Sequence, residues 1–443
     1  MQKRNVPLLI IVGLIVFGLV FLAVKNLQNA NPQVEINFTP SLSYPNLNNE
    51  LFGFGSNFVG QLGTANYSKS PVVLQSVGLK NIVKFDAGNR HSLVLTPDGE
   101  VFQIGSASTL GSTYTDYVNI LEGDEVKRLT GIVDISAGSN YSLALKDDGT
   151  VWSWGSNITG QLGQGDNQDR EYATKIEGLQ DIVQISAGYK FGLALDKFGE
   201  VWAWGGSCTE DRAAAANNWM ASPQTVVGIG GYYDPTSLGG ADNINLQSED
   251  YNSYCANEWV IGFTSKTPVK IEGLSNITQI SAGWGHTLAI DANKDVWSFG
   301  CNLYGQVSNT PNHLEPYRIP ELQGIVRVSA GYRHSMALDE DGNVFAWGHN
   351  LRGALGIGTS GEDQWVPVQL SRLKNVQEIS AGHDFSVLIN GDNKLVVFGE
   401  NNSGVVNSDL NIVFTPNPTV VYSDQDVSAI SAGKNHILAL TDY

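Results

Sequence analysis

The segment "AGYRHSMALDEDG", residues 330–342, places a histidine, a hydroxyl group and carboxylates within a few positions of one another. Arg333 precedes His334, Ser335 follows it, and Asp339 lies five residues downstream. A serine nucleophile, a histidine base and an orienting aspartate are the groups that acyl transfer uses. The chemistry would be nucleophilic hydrolysis, so the first question is which elements position these side chains.

The segment is one copy of a repeat of about 50 residues. An Ala-Gly pair marks each copy, and in six copies a second glycine, preceded by an aromatic or aliphatic residue, follows 17 positions later. The first glycines are Gly88, Gly138, Gly188, Gly283, Gly331, Gly382 and Gly433, and the second are Gly105, Gly155, Gly205, Gly300, Gly348 and Gly399. The seventh copy lacks its second glycine, whereas Phe54-Gly55 has no Ala-Gly before it. Both ends of the domain therefore complete one repeat, which predicts a closed ring.

Each repeat has the pattern of short strands joined by tight turns. In "VWSWG", Trp152 and Trp154 share one face by the two-residue period of a strand, and equivalent pairs recur in the other copies. Asp-Gly pairs between apolar runs, as at Asp148-Gly149, predict hairpins. The predicted fold class is all-β: a seven-bladed β-propeller over residues 49–443, with an insertion at about 206–262.

The column three residues after each Ala-Gly glycine decides how His334 is interpreted. It holds His91, Tyr141, Phe191, His286, His334, Phe385 and His436. Tyr and Phe replace a packed ring, but they replace neither a general base nor a metal-ligating imidazole. The column of Ser335 also contains Gly, Thr and Ile, and Asp339 and Asp341 belong to a turn. The column is therefore predicted to be structural, and we expect no catalytic residue, metal site or cofactor.

The repeat "ISAGSNYSLALKDDGTVWSWGSNITGQLG" resembles the regulator of chromosome condensation repeat family, over about residues 49–443 apart from the insertion. The resemblance implies a seven-bladed β-propeller. One member of the family is a nucleotide exchange factor for a small GTPase and uses an inserted wedge. The plant ultraviolet-B photoreceptor is similar at "GWGHT", 283–287, but it stacks several tryptophans, and Trp284 has Tyr, Asn or Lys in sister copies. A secreted bacterial β-lactamase inhibitory propeller, which binds protein through ring-face loops, is most similar in architecture and location.

Two surfaces are candidates for binding a partner. The two variable residues after each Ala-Gly must lie on one side of the ring, and they include Arg90, Tyr189, Lys190, Trp284, Tyr332, Arg333 and His383. The insertion supplies aromatic contact anchors, among them Trp219, Tyr232, Tyr233 and Trp259. The alternatives are fully solvated loops for the first surface, and for the insertion a self-packed decoration or a degenerate eighth blade.

The three cysteines leave two interpretations open. Cys208 and Cys255 bracket most of the insertion and would form a stabilising disulfide in an oxidising compartment. The alternative is that these two and Cys301 are three unrelated thiols.

The N-terminal region has a different composition. Residues 6–24 form an uncharged segment that is long enough for a transmembrane helix. Lys3 and Arg4, which precede this segment, favour a cytoplasmic N-terminus. We expect a short cytoplasmic tail at 1–5, a signal anchor at 6–24 and a flexible linker at 25–48, with the propeller outside the cytoplasm. A cleaved signal peptide is the alternative.

The formal net charge is −18, from 26 basic and 44 acidic residues, which disfavours nucleic acid as a partner. The predicted function is that of a membrane-tethered, extracytoplasmic binding or scaffold module, not an enzyme, for a protein or a cell-envelope glycan. The alternatives are a guanine nucleotide exchange factor for a small GTPase and a propeller enzyme that acts on envelope polysaccharide.

Overall fold

The structure is a computed structural model that describes residues 49–63, 69–107, 112–119, 130–206, 265–307, 309, 313–407, 409–422 and 426–442. The predicted membrane anchor at 6–24, the linker at 25–48 and all of the insertion except Gly206 lie outside these residues. In the part of the chain that is described, no helix has the length and hydropathy that a membrane crossing requires.

The described residues form 28 strands in seven four-stranded antiparallel sheets, which we call blades. Blade 1 contains β1 (Asn49–Ser56), β2 (Lys69–Lys80), β27 (Val427–Ala432) and β28 (His436–Asp442). Blade 2 contains β3 (Lys84–Ala87), β4 (His91–Leu95), β5 (Val101–Ala107) and β6 (Ser112–Asn119). Blade 3 contains β7 (Ile132–Ala137), β8 (Tyr141–Lys146), β9 (Val151–Gly155) and β10 (Arg170–Lys175).

Blade 4 contains β11 (Ile182–Ala187), β12 (Phe191–Asp196), β13 (Val201–Gly205) and β14 (Ser265–Lys270). Blade 5 contains β15 (Ile277–Ala282), β16 (His286–Asp291), β17 (Val296–Gly300) and β18 (His313–Arg318). Blade 6 contains β19 (Ile325–Ala330), β20 (His334–Asp339), β21 (Val344–Gly348) and β22 (Gln364–Gln369). Blade 7 contains β23 (Glu378–Ala381), β24 (Phe385–Ile389), β25 (Leu395–Glu400) and β26 (Phe414–Tyr422).

Blade 1 closes the ring with strands from both ends of the domain. In it β1 pairs with β28, in a register that runs from Asn49↔Asp442 to Gly55↔His436. The predicted seven-bladed, all-β propeller closed by both termini is therefore confirmed. Blades 4 and 5 are joined directly at the axis, because the Tyr189 amide donates to the Gly283 carbonyl at 3.1 Å. No eighth blade separates them there.

The core lies between neighbouring blades. The second aromatic or aliphatic residue of each predicted pair is buried in it, as Trp154, Trp204 and Phe299 are. The glycine that follows has a φ between 95° and 111° in every blade, a region that favours glycine. At Gly155, a Cβ would also lie 2.6 Å from the Asn140 carbonyl oxygen, so the strand end requires glycine.

The strand directions give the ring two faces. In each blade the innermost strand runs to the Ala-Gly pair, and the third strand returns to its glycine beside it, as the pair His334↔Gly348 shows. The loops after the first and third strands therefore lie together, and we call that end the mouth face. The hairpins between the second and third strands lie at the opposite hairpin face, where Asp339 accepts hydrogen bonds from the amides of Asp341 and Asn343.

Candidate functional site

The seven Ala-Gly pairs meet around the axis and line a cavity of about 120 Å³ that opens at the mouth face. Amides of the residues after Ala-Gly donate to glycine carbonyls of the next blade, as from Trp284 to Gly331 at 3.1 Å. A Cβ at Gly283 would lie 2.5 Å from the same carbonyl oxygen. Glycine is therefore what lets the blades approach closely enough to form this ring of hydrogen bonds.

A second ring of hydrogen bonds lies one residue deeper and uses the serine of the Ile-Ser-Ala-Gly pattern. The hydroxyl of Ser329 accepts from the Ala381 amide of the next blade at 2.9 Å, and the other interfaces repeat the contact. Asp86 takes the place of serine in blade 2 and accepts from the Ala137 amide at 2.7 Å. Its carboxylate also accepts from Ser136 and Ser431, so all seven interfaces are connected.

The column of His334 joins neighbouring blades in a third way, through hydrogen bonds to serine hydroxyls of the next column, that of Ser335. His334 lies 2.8 Å from the Ser386 hydroxyl of the next blade, through Nε2. The Ser386 hydroxyl donates its hydrogen to the Ala354 carbonyl, so it accepts from Nε2–H. The same contact joins His91 to Ser142, His286 to Ser335 and His436 to Ser92. The column therefore contains more than packed rings.

Tyr141 and Phe385 match their neighbours by size and polarity, whereas Phe191 faces Thr287, whose buried hydroxyl has no hydrogen-bond partner. Tyr141 faces the blade that has Gly192, and its hydroxyl donates to the adjacent Phe191 carbonyl. Phe385 has no N–H, and the next blade offers the aliphatic Ile437 where the histidine interfaces offer serine. Part of the signal was present in the sequence, because each histidine of one column faces a serine of the next column.

These imidazoles cannot act on a ligand at the mouth. His334 and His286 are buried, and burial lowers the pKa of the first to about 4 and that of the second to about 3. They are neutral near pH 7 and donate to serine hydroxyls inside the ring. Arg333, Ser335 and Asp339 do not converge with His334 into a reaction centre, because Ser335 pairs with His286 and Asp339 holds the distant hairpin.

An aromatic arc occupies one side of the mouth. Tyr189, Trp284, Tyr332 and His383, each from the loop of a successive blade, form a contiguous row. The ring centroids of Trp284 and Tyr332 are 4.9 Å apart, and His383 stacks on Tyr332 at 3.7 Å. The predicted candidates at the mouth thus lie side by side, an arrangement that follows from ring closure and not from spacing within one repeat.

Arg333 connects the arc to a neighbouring loop that the sequence analysis did not single out. Its guanidinium lies 4.7 Å from the Tyr332 ring centroid and 5.0 Å from that of Tyr304. Tyr304 in turn contacts His349, with ring centroids 4.3 Å apart. Tyr304 and His349 follow the third strands of blades 5 and 6, so only the closed ring brings them to Arg333.

His383, Asp384 and Glu400 are the described residues with the composition of a metal site. Their ligand atoms lie within 4.8 Å of one another, which is close enough to hold an ion. Burial acts to raise the pKa of the Asp384 carboxyl, but His383 and Arg333 outweigh it and hold that pKa well below its usual range. Arg352 lies 3.9 Å from Glu400. Cationic side chains thus already supply the positive charge that a metal would bring.

The loops after the third strands add exposed aliphatic side chains to the mouth face. In blades 1, 3, 5, 6 and 7 an asparagine side chain accepts from the amide five residues on and holds the turn, as Asn157 does for Leu162 at 2.9 Å. In blades 3 and 6 the next residue is an exposed aliphatic: Ile158 is 63% exposed and Leu351 is 51% exposed. The insertion also leaves from this face, since Gly205 pairs with Ser265 at its two ends.

The other residues that the sequence singled out lie at the mouth, in the core or outside the described residues. Arg90 is exposed and Lys190 half-buried at the mouth, where Lys190 lies over the Tyr189 ring at 5.7 Å. Cys301 is a buried free thiol. Six predicted residues lie outside the described residues: Trp219, Tyr232, Tyr233, Trp259, Cys208 and Cys255.

Comparison with known proteins identifies the repeat. A family model, "Regulator of chromosome condensation (RCC1) repeat", matches residues 48–95, 148–195, 294–338 and 341–389, and a second model of the same repeat matches 132–161, 277–306 and 325–354. No curated protein sequence matches the chain.

Solved structures share the fold at low identity. Prp20p from Saccharomyces cerevisiae, described with its binding properties to Gsp1p and histones, has a TM-score of 0.69 and 19% identity, over 89% of this chain and 92% of that one. The same yeast protein bound to Kap60 has a TM-score of 0.68 and 18% identity, over 93% and 92% of the two chains. Human WBSCR16 has a TM-score of 0.67 and 19% identity, over 89% and 99%.

Proposed function

Because the chain belongs to the family of regulator of chromosome condensation repeat proteins, we propose that it is a binding module and that its mouth face takes a protein partner. The single observation that carries the proposal is the chemistry of that face. Exposed aliphatic side chains at matching loop positions, Ile158 and Leu351, lie on the same face of the ring as an aromatic arc at the axis. Aromatic anchors together with apolar surface are typical of protein interfaces.

Binding accounts for this face better than catalysis does. The buried histidines are used between blades, and His383 pairs with Asp384 at 2.9 Å. A propeller of stacked blades presents loops on a rigid frame, which is how binding surfaces are commonly built. One relative of known structure, the yeast protein Prp20p, is described with its binding to Gsp1p and histones and also in a complex with Kap60, and these protein partners support the same class of function here.

Site-specific photo-cross-linking of the full-length protein in its own cells tests the proposal. A benzoylphenylalanine at Ile158 or Leu351 should form a discrete adduct with another protein. Val326 supplies the matched control, because it is apolar, 44% exposed and at the hairpin-face end of β19. Adducts from position 326 that equal those from 158 and 351 would contradict a partner at the mouth face.

We further propose that residues 6–24 anchor the protein in a membrane with the propeller outside the cytoplasm. The support is the uncharged run of 19 residues with Lys3 and Arg4 before it. Protease added to intact cells should then remove the propeller, whereas an internal cytosolic protein stays intact. Protection of the propeller would place it in the cytosol.

Guanine nucleotide exchange on a small GTPase is the second candidate. It is favoured by the insertion, which leaves from the mouth face between β13 and β14, since the family resemblance implies exchange through an inserted wedge. Release of a fluorescent GDP analogue from candidate GTPases measures it directly. A rate increase that depends on residues 207–264 would establish exchange, and an unchanged rate would leave binding as the function.

A further inference from the structure

Exposed apolar side chains are concentrated at the rim of two blades. The described residues include eleven exposed large hydrophobic side chains, and six of these lie in blades 6 and 7 toward the mouth face. We call this set the rim patch: Leu351, Trp365, Val366, Leu410, Ile412 and Val413. Exposed apolar side chains that are scattered singly are normal, whereas a cluster of them marks an interaction site.

The strand registers place the rim patch at the mouth ends of the two outermost strands. Gly348, which ends the third strand of blade 6 at the mouth face, pairs with Gln364, just before the two patch residues of β22. In blade 7, the segment from Leu410 to Val413 directly precedes β26, whose first residue pairs with Glu400. Since β22 and β26 are the outer strands of their sheets, the rim patch lies outward of the aromatic arc on the same face.

Blades 6 and 7 contribute adjoining segments to the rim patch. The loop between β21 and β22 carries Leu351 and packs on β26, because the Gly358 amide donates to the Pro416 carbonyl at 3.0 Å. A Cβ at Gly353 of the same loop would lie 2.6 Å from the Pro416 Cα. Leu351 is thus held against the strand that follows the blade 7 residues, so the rim patch is shared by two blades.

Carboxylates border the rim patch. In their described residues, the loops between third and fourth strands hold one guanidinium, that of Arg352, and five carboxylates: Asp166, Asp169, Glu362, Asp363 and Asp409. Three of these five belong to blades 6 and 7, and Glu400, 3.9 Å from Arg352, adds a fourth. Arg372 donates to the Asn417 side chain beside the same loop. The rim of the two blades therefore has four carboxylates and two guanidinium groups.

Hydrogen bonds position two of these carboxylates but do not remove their charge. Asp363 accepts from the Asn350 amide at 3.0 Å and contacts the His349 imidazole at 2.9 Å. Asp409 accepts from the Asn411 amide at 2.9 Å. The border is thus negative, as is the whole chain with its formal net charge of −18. A negative border attracts cationic groups of a partner.

We infer that the rim patch docks a cationic, apolar segment of the protein partner, in which large aliphatic or aromatic side chains are flanked by Lys or Arg. The apolar side chains pack on the rim patch, and the cations lie near Glu362 and Asp409. An anionic lipid surface fits this site less well, because the same carboxylates repel it. This inference rests on the proposed function and names the chemistry of the partner.

Fluorescence anisotropy with the full-length protein in phosphatidylcholine nanodiscs tests the inference, and empty nanodiscs correct for binding to lipid. The probes are a labelled short peptide of Lys and Leu with the leucines on one helix face, the same peptide with Glu for Lys, and the same peptide with Ser for Leu. We expect the Lys-Leu peptide to bind at least tenfold more tightly than the other two. Its affinity should fall as NaCl rises, because the attraction is screened.

Variants assign the binding to the rim patch. Leu410→Ser with Val413→Ser should weaken the Lys-Leu peptide at least tenfold, whereas Val326→Ser, which removes an exposed valine on the hairpin face of blade 6, should not change it. Glu362→Lys should weaken it at least threefold. Asp392→Lys is the matched control, because it reverses an exposed charge in the turn between β24 and β25 on the hairpin face. Unchanged melting temperatures would show that each variant folds.

Four results would overturn the inference: no binding of the Lys-Leu peptide, equal binding of the Glu or Ser peptide, equal loss in the variants and their controls, or a lipid adduct. The last is measured in cells with benzoylphenylalanine at Val366 or Ile412, and it would assign the rim patch to the membrane. Failure here and failure of the proposed function remain distinguishable. If Ile158 and Leu351 still cross-link to a protein while the Lys-Leu peptide does not bind, the mouth face has a partner of other chemistry.

Discussion

At the scale of single residues, the histidine column works through a matched neighbour in the next blade. His334 donates Nε2–H to Ser386, and Ser386 donates to the Ala354 carbonyl, so each group in the chain of hydrogen bonds is used. At the interface where Phe385 stands in the column, Ile437 takes the serine position. The pairing rule is that an N–H requires a hydroxyl, and a phenyl ring requires none.

The Ser386→Ala variant tests this rule. It should lower the free energy of unfolding by about 1–3 kcal/mol, because the buried His334 Nε2–H loses its acceptor. The same change made in a His334→Phe background should cost less, since no N–H is left unpaired there. Urea denaturation of the two single variants and the double variant gives the coupling energy. Costs that simply add would show that the contact contributes nothing.

The buried histidines also make stability depend on pH. Burial lowers the folded-state pKa of His334 to about 4, below the ordinary value of 6.5, so the unfolded chain binds more protons between these values. Stability is therefore full above pH 6.5 and is lost as the pH falls toward 4. The wild type should lose about 2–3 kcal/mol more than His334→Phe between pH 7 and pH 4.5. Parallel stability curves would contradict the assignment.

At the scale of elements, the glycine that ends each third strand fixes where two loops meet. Gly155 has a φ of 106°, and a Cβ there would lie 2.6 Å from the Asn140 carbonyl oxygen and 2.7 Å from the Tyr141 Cα. Gly178, in the turn after β10, has a φ of 87° but nothing within 4 Å of the same position. A side chain at Gly178 would therefore meet backbone strain only, whereas a side chain at Gly155 would meet both backbone strain and steric overlap.

Gly178→Ala should cost about 1–2 kcal/mol, the price of a left-handed backbone at a residue with a Cβ. Gly155→Ala should cost several kcal/mol more, because strands β8 and β9 must also move apart at the mouth face. Chemical denaturation of both variants measures the difference. Equal losses would mean that the strand end adapts and that the recurrence of glycine there reflects backbone strain alone.

The repeat made much of this architecture predictable. The spacing between Ala-Gly and the second glycine specified seven blades and the closure, because every blade needs the same close approaches at the axis and at the strand end. The hydrogen bond between His286 and Ser335 could in principle be predicted from the sequence, since histidine and serine recur in these two columns. The contact of Arg333 with Tyr304 could not be predicted, because it joins different loop types from two blades and no other copy has a tyrosine at the position of Tyr304.

At the scale of the whole molecule, the ring is closed by one blade whose strands come from both ends of the domain. β1 pairs with β28 across a sequence separation of 391 residues, as in the contact of Thr441 with Glu50. The other blades are built from neighbouring segments, apart from the insertion in blade 4. The β1–β28 pairing of blade 1 therefore bears the largest entropic cost of loop closure. We expect the ring to open most readily at this pairing.

A disulfide across this seam tests that conclusion against a matched one inside a blade. Glu50 pairs with Thr441 in blade 1, and Lys146 and Thr150 occupy the equivalent positions of blade 3. Cysteines at 50 and 441 should stabilise the oxidised protein by up to about 6 kcal/mol, and cysteines at 146 and 150 by about 2 kcal/mol, because the closed loops differ so greatly in length. Thermal unfolding of the oxidised and reduced forms measures both, with mass spectrometry to confirm each bond. If the two disulfides raised the melting temperature equally, opening at the seam would not limit the stability of the ring.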